Sequence, residues 1–410
     1  MSGEGGRGDR WAAPAPAPAT PPPPAPPPGL LKRPRRSSTV FTVVVAVLMF
    51  IGACVMAVVL LAAEAPGALV VGVVLASLPV GPVIAAFLWL DRYEPEPVRL
   101  LALAFGWGAM VATAFALLLQ AADEIVIGTS KALSAVLVAP VTEEAAKGLF
   151  VLLLLWTRRR SIDSVLDGIV YAGLVGVGFA FTENILYLAG AYMGGHQLGP
   201  GGIGAATGLF VVRGIFSPFA HPLFTSFTGI GVGYAVVTRS RFWRVAAPIL
   251  GYVVAVAAHA SWNASTLLGA GRTFVITYLV AMVPAFLLLV GFAAWIRRRE
   301  GRMLTRCLTD CANRGFLDHR EVPWLVRLPG RRACRRFARG HGGSLGEKVM
   351  REYQQQAIEL GFLHDRYLRG TAPDDFADRG SAMVRRLHGL RPYVLFPQPV
   401  GARPLWEGGR

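Results

Sequence analysis

Long apolar runs, separated by short polar segments, fill most of this chain. Eight of them cover residues 39–63, 67–90, 100–122, 131–156, 165–192, 207–237, 245–268 and 274–296. A helix of about 20 apolar residues crosses the roughly 30 Å hydrocarbon core of a bilayer. The pattern therefore predicts an all-α fold, a polytopic membrane bundle of about eight transmembrane helices. The sixth run is too long for one straight span and contains Pro218 and Pro222. Proline removes a backbone donor and clashes with the preceding turn, which predicts a kinked or broken helix there.

The polar segments are charged in alternation. Lys32, Arg33, Arg35 and Arg36 precede the first run, and Arg158, Arg159 and Arg160 follow the fourth. Arg239, Arg241 and Arg244 follow the sixth, and Arg297, Arg298 and Arg299 the eighth. With eight spans these segments share one side, while the opposite loops are nearly free of Lys and Arg, Arg272 excepted. The positive-inside rule then predicts a multi-pass protein of the cell membrane with both termini cytoplasmic. Composition excludes a soluble class: 53% of the 410 residues are hydrophobic and 16% charged, against about 25% charged in soluble domains. The net charge of +16 suits anionic lipids as partners. No aromatic-interleaved basic motif appears, so no nucleic acid is expected.

Three regions follow. Residues 1–38 form a low-complexity leader with Ala-Pro repeats and a proline run, which predicts disorder or polyproline II. The first apolar run starts too late for a signal-peptide core and reads as a retained helix. Residues 39–296 are the bundle. Residues 297–410 are a basic cytoplasmic tail, long enough for a small helical unit. Within 347–361, Val349, Tyr353, Ala357 and Leu360 recur at helical spacing. Cys307, Cys311, Cys334 and His341 together suggest a zinc site, but their spacing fits no common pattern.

The fourth run holds Glu143, Glu144 and Lys147. Each ionised group near a bilayer centre costs about 2.5–3.5 kcal/mol on insertion scales, so a plain anchor would carry leucine instead. The fifth run holds Glu183 and Asn184, the sixth Arg213 and His221, the seventh His259 and Asn263. The first three runs carry almost nothing polar at their centres. This asymmetry predicts a polar chamber built from the fourth to seventh helices. Glu143 and Lys147 are four apart and share a face, as do His259 and Asn263. Glu144 is turned about 100° away from Glu143 and is expected to do a different job.

Such a chamber suits acyl hydrolysis. Glu143, in a low-dielectric pocket, is the candidate general base for water. His259 and Asn263 are candidate donors to an oxyanion. Within a membrane the available acyl bond is a peptide bond of another protein's transmembrane segment. Each feature taken alone has a plainer account: an internal Glu143–Lys147 ion pair, a packing histidine at 259, interhelical hydrogen bonding by Glu183 and Asn184, a snorkelling or paired Arg213. Packing alone does not explain polar clusters on four consecutive spans. Proton-coupled transport, or channel activity through the Glu and His groups, is the alternative function. A catalytically dead, helix-binding scaffold is a third.

The ordered motifs resemble those of the PrsW-type intramembrane proteases, relatives of the CAAX-prenyl protease and bacteriocin-processing superfamily. Glu143-Glu144-x-x-Lys147, Phe179-x-x-x-Glu183-Asn184, His221 in Ser-Pro-Phe-Ala-His-Pro, and His259-x-x-x-Asn263 carry the resemblance, together with the acidic, proline-containing segment 91–97. It covers about residues 70–300. It implies an intramembrane endopeptidase acting on a single-span, membrane-tethered protein. Glu143 would activate water, Glu183 would hold or polarise it, and His221 would orient water or substrate. Glu144 would pair with a basic group, and His259 and Asn263 would steady the oxyanion. Two glutamates and two histidines also suit zinc. The usual H-E-x-x-H spacing is absent, and the resemblance is to glutamate-type hydrolases, so no obligatory metal or other cofactor is expected.

Overall fold

A computed structural model describes residues 39–62, 65–158, 161–195, 200–268 and 271–397. The leader 1–38, together with Arg159 and Arg160, lies outside the described residues. The fold is all-α. The apolar runs become α1 (Thr39–Ala62), α2 (Pro66–Leu90), α3 (Val98–Ile127), α4 (Ala139–Thr157), α5 (Val165–Met193), α6 (Gly202–Val237), α7 (Arg241–Leu267) and α8 (Arg272–Asn313). All but α4 are long and apolar enough to cross a membrane, which makes this a multi-pass membrane protein. With three ionisable residues in 19, α4 does not qualify on composition. A short turn, Lys131–Leu133, and a π-helical segment, Ser134–Val138, lead into it.

α4 and α5 are the inner rods. α4 packs against α3, α5, α6 and α7. α5 starts at a capping box in which the Ser164 hydroxyl accepts from the Leu166 and Asp167 amides while Asp167 accepts from the Ser164 amide. Its neighbours approach closely because small residues face one another. A Cβ at Gly168 would lie 2.1 Å from the Gly229 carbonyl oxygen on α6.

The helix break expected around Pro218 and Pro222 is present. α6 runs as Gly202–Phe210, then as a π-helical turn, Val211–Phe216; Ser217 to Phe219 are turn, and regular helix resumes at Ala220–Val237. The eighth run differs from its expected end at 296. α8 continues through Arg297–Arg299 to Asn313, so helix joins bundle to tail without a linker.

The tail adds α9 (Val322–Val326), α10 (Leu328–Leu368) and α11 (Phe376–Leu390), packed on the end of α8 around Leu308, Leu325, Met350, Ile358 and Leu387. Cys311 and Cys334 lie within this apolar core, and His341 is exposed, so the cysteine–histidine reading finds no ligand cluster among the described residues. Arg331 donates to the Arg92 and Tyr93 carbonyls after α2, and Arg239, after α6, donates to the Arg369 carbonyl. Asp163, after α4, interacts with Arg366, Arg369 and Arg379. The loops after α2, α4 and α6 therefore meet the tail on one face of the bundle.

Candidate active site

Glu143, Glu144 and Lys147 all point into the bundle interior and are almost fully buried. Although Val141, Leu149 and Trp156 leave α4 with an exposed face, the 100° turn from Glu143 to Glu144 carries the second carboxylate to another buried wall rather than out to lipid. Lys147 Nζ lies 3.3 Å from Glu143 Oε2 and 2.9 Å from Glu144 Oε1. Its ammonium also sits 3.6 Å above the Phe179 ring and 3.1 Å from His221 Nδ1. Glu144 accepts a further bond from Thr225 Oγ1 on α6, at 3.0 Å.

The two histidines are each held by a carboxylate. His259 Nδ1 is 3.0 Å from Glu144 Oε1, and its Nε2 is 3.8 Å from Glu143 Oε2. His221 Nε2 is 2.8 Å from Glu183 Oε2. Ring contacts fix their planes: Phe224 stacks on His259 with centroids 5.0 Å apart, and Phe179 lies 5.1 Å from His221. The break in α6 places His221 in the first turn of the resumed helix. Gly176 makes room for it, since a Cβ there would lie 2.8 Å from the His221 carbonyl and 2.7 Å from Pro222 Cα.

Arg213, on the π-helical turn of α6, donates to Glu183 Oε2 and, at 2.6 Å, to Asn184 Oδ1. Its guanidinium also covers the Tyr187 ring at 4.1 Å. Arg213 is thus a paired arginine. Asn263 is placed differently from the other site residues: its Nδ2 donates to the Ala135 carbonyl, 2.9 Å away, ahead of α4. That bond uses one of the amide's two N–H donors and leaves the other for the oxyanion role that the spacing suggested.

Gln120 was not anticipated. Its Nε2 reaches Glu143 Oε1 at 3.3 Å from α3, so the chamber has a wall outside the fourth to seventh runs. The available signal was faint: Gln120 is the one side-chain amide in the run 100–122. Thr225 was missed for the same reason, as threonine is common in apolar helices.

Glu143, His221 and His259 each offer one ligand atom, and these atoms lie within 4.8 Å of one another. Three carboxylates, Glu143, Glu144 and Glu183, face two fixed cations, Lys147 and Arg213. With neutral imidazoles, one negative charge is left over. Two imidazoles and a carboxylate are a familiar zinc donor set, and a carboxylate on each imidazole's other nitrogen is the usual outer support of such a site. The donors present therefore fit a zinc ion.

A family profile described as "PrsW family intramembrane metalloprotease" matches residues 96–289, which span α3 to α7 and the first part of α8. Residues 96–289 are thus similar to the PrsW family. Protease PrsW of Geobacillus kaustophilus is 30% identical over 164 residues, covering 39% of this chain and 65% of that relative. Protease PrsW of Bacillus subtilis is 29% identical over 119 residues, covering 29% and 54%. The chain thus spans less than two thirds of either relative. No solved structure matches it. The matched region contains every polar residue of the chamber, while the tail 297–410 lies beyond it.

Proposed function

We propose that this protein is an intramembrane endopeptidase that hydrolyses a peptide bond in or beside the transmembrane segment of a single-span, membrane-tethered protein. The observation that carries the reading is the convergence of Glu143, His221 and His259 at the buried centre of a membrane bundle. The family's description and the names of the two relatives support it. The basic loops and the tail on one face support cytoplasmic termini, a cell-membrane location and contact with anionic lipids.

Beside the expected metal-free site, the donor set and the family's description support a metal-dependent one. His221, His259 and Glu143 would hold the ion. When bound, zinc polarises a carbonyl and brings the pKa of water to about 7. The remaining residues position and balance charge. Glu144 and Glu183 set which imidazole nitrogen carries the proton; the other faces Glu143 on His259 and lies 3.1 Å from Lys147 Nζ on His221, so Lys147 would have to turn aside for an ion to bind there. Lys147 compensates the paired glutamates. Gln120 supplies an amide donor at the Glu143 rim for an oxyanion or the scissile carbonyl. One observation favours a second, metal-free reading: Lys147 Nζ already lies within 3.3 Å of both Glu143 and His221. In that reading Glu143 is the general base for water.

An apolar groove of about 500 Å³ between α4 and α7 offers a path for the substrate. It runs from Glu144 past Gly148, Leu152 and Ile249 to Arg244.

The test is reconstitution in proteoliposomes with a single-span substrate. Wild type should cleave it and Glu143→Ala should not, with unchanged folding. Activity lost to a chelator and restored by zinc selects the metal-dependent form; activity indifferent to the chelator selects the metal-free one. Ion flux without proteolysis would replace the proposal with the transport alternative.

A further inference from the structure

Away from the chamber, a basic cavity in the tail has no part in the reaction. α10 is a hairpin. Gly343, at φ +61°, interrupts it, and its two halves fold back on each other. Gln354 Nε2 reaches the Arg331 carbonyl at 3.1 Å, and a Cβ at Gly346 would lie 2.6 Å from the Ala338 carbonyl. On the first half, a cavity of about 440 Å³ is lined by Arg332, Arg335, Arg336, Arg339 and Glu347. The four arginines stand at positions i, i+3, i+4 and i+7, which is one helix face.

Folding alone does not account for this stripe. Cys334 and Ala338 pack into the tail core, and Arg331 docks on the loop after α2. That set holds the helix in place from its other side. Glu347 is the one carboxylate of the cavity, and Arg339 and Arg351 pair with it at 3.4 and 2.9 Å. Arg335 donates to Gln354 Oε1 at 3.3 Å. Arg332 and Arg336 are exposed and form no ion pair among the described residues. Burial, then the charges of Arg351 and Arg332, push the Arg335 guanidinium below its ordinary pKa. Like charges held this close repel one another, and a bound anion would relieve that repulsion.

We propose that this cavity is a binding site for a phosphate group, with Arg332 and Arg336 as its principal donors. A planar guanidinium matches two phosphate oxygens at once, and phosphate offers enough acceptors for several such forks. Two sources share this chemistry: the head group of an anionic phospholipid, and free polyphosphate. The hairpin starts at the loop that closes α2, so the head-group layer is at hand.

The test uses the full chain in a neutral detergent. Dioctanoyl phosphatidylglycerol and inorganic pyrophosphate are titrated separately by calorimetry, with dioctanoyl phosphatidylcholine as the zwitterionic control. The double variant R332Q/R336Q should bind about tenfold more weakly or worse, given the usual strength of charged hydrogen bonds. R302Q/R306Q, which removes equal charge from an exposed part of α8 outside the basic loops, should bind like wild type. Glu347→Gln should tighten binding, because it removes the competing carboxylate. Preference for phosphatidylglycerol identifies the lipid source, and preference for pyrophosphate the free one. Absence of binding by wild type, or equal losses in both arginine variants, would overturn the proposal.

Discussion

His259 and Glu144 are joined at 3.0 Å through Nδ1, which turns the other imidazole nitrogen, Nε2, toward Glu143 at 3.8 Å. We propose Glu144 as a positioning residue that acts on the reaction centre through His259. Glu144→Gln keeps the volume and weakens the hold on the Nδ1 proton. Substrate cleavage should fall about 10–100-fold, the usual cost of losing an outer carboxylate. Zinc content measured by mass spectrometry should fall alongside in the metal-dependent form. Unchanged cleavage with unchanged metal content would remove Glu144 from this role.

Arg213 ties α6 to α5 through Glu183 and Asn184. Arg213→Ala leaves a mostly buried carboxylate with one partner fewer. The bundle should lose about 1–3 kcal/mol, as for charged hydrogen bonds elsewhere, and His221 should lose its fixed orientation. Arg213→Lys should restore stability in part but not the bond to Asn184, since lysine lacks the guanidinium fork. Thermal unfolding in detergent, read against cleavage rate, checks both. Equal stability of Arg213→Ala and wild type would contradict the account.

Gly176 is where α5 lets the broken end of α6 approach. Gly176→Leu should push His221 and Pro222 away, cost about 1–3 kcal/mol by overpacking, and abolish cleavage. Gly204→Leu, where no atom lies within 4 Å of an added Cβ, is the control and should be silent. Activity retained in Gly176→Leu would show that His221 need not sit where it does.

The tail interface should respond to pH. Burial raises Asp91 to about 7 from 3.8, against the opposing Glu96 amide. Burial and then Asp167 raise Asp163 to about 7, against Arg366, Arg369 and Arg379. An acid with a raised folded pKa binds more protons folded than unfolded, so its contribution to stability is greatest below the unfolded value and declines as pH rises through the folded one. Docking of the tail should therefore loosen between about pH 4 and 7. Amide exchange over α10, corrected for its intrinsic pH dependence, should be slower at low pH, and Asp163→Asn should flatten the trend. A tail held more tightly at alkaline pH would reverse the sign and refute this reading.

Much of this was legible in the chain because a bilayer imposes simple rules. Apolar length fixes the spans, and Glu143, Lys147 and His221 stood out because charge is rare in such helices. Pro218 and Pro222 marked the break in α6. What escaped were relationships set by tertiary packing. The turn from Glu143 to Glu144 looked like a separation because spacing alone does not show that α4 buries both directions, against α6 and α7, and exposes only the face of Val141 and Leu149. Asn263 seemed aimed with His259 by spacing, yet the π-helical segment before α4 brings the Ala135 carbonyl within its reach. Gln120 belongs to a run with no other amide, and no local pattern marks which apolar helix lends one polar group. The docking of α10 on the loop after α2 joins residues more than 230 positions apart, beyond any periodicity.

The central claim is that Glu143, His221 and His259 work as one centre. It is tested most directly by cleavage rates in proteoliposomes for Glu143→Gln, His221→Gln, His259→Gln and the triple variant. Residues acting as a unit are strongly non-additive. Each single variant should fall to the same background as the triple. If any single variant keeps most of the wild-type rate, or if the losses simply multiply, the three side chains do not share a reaction centre.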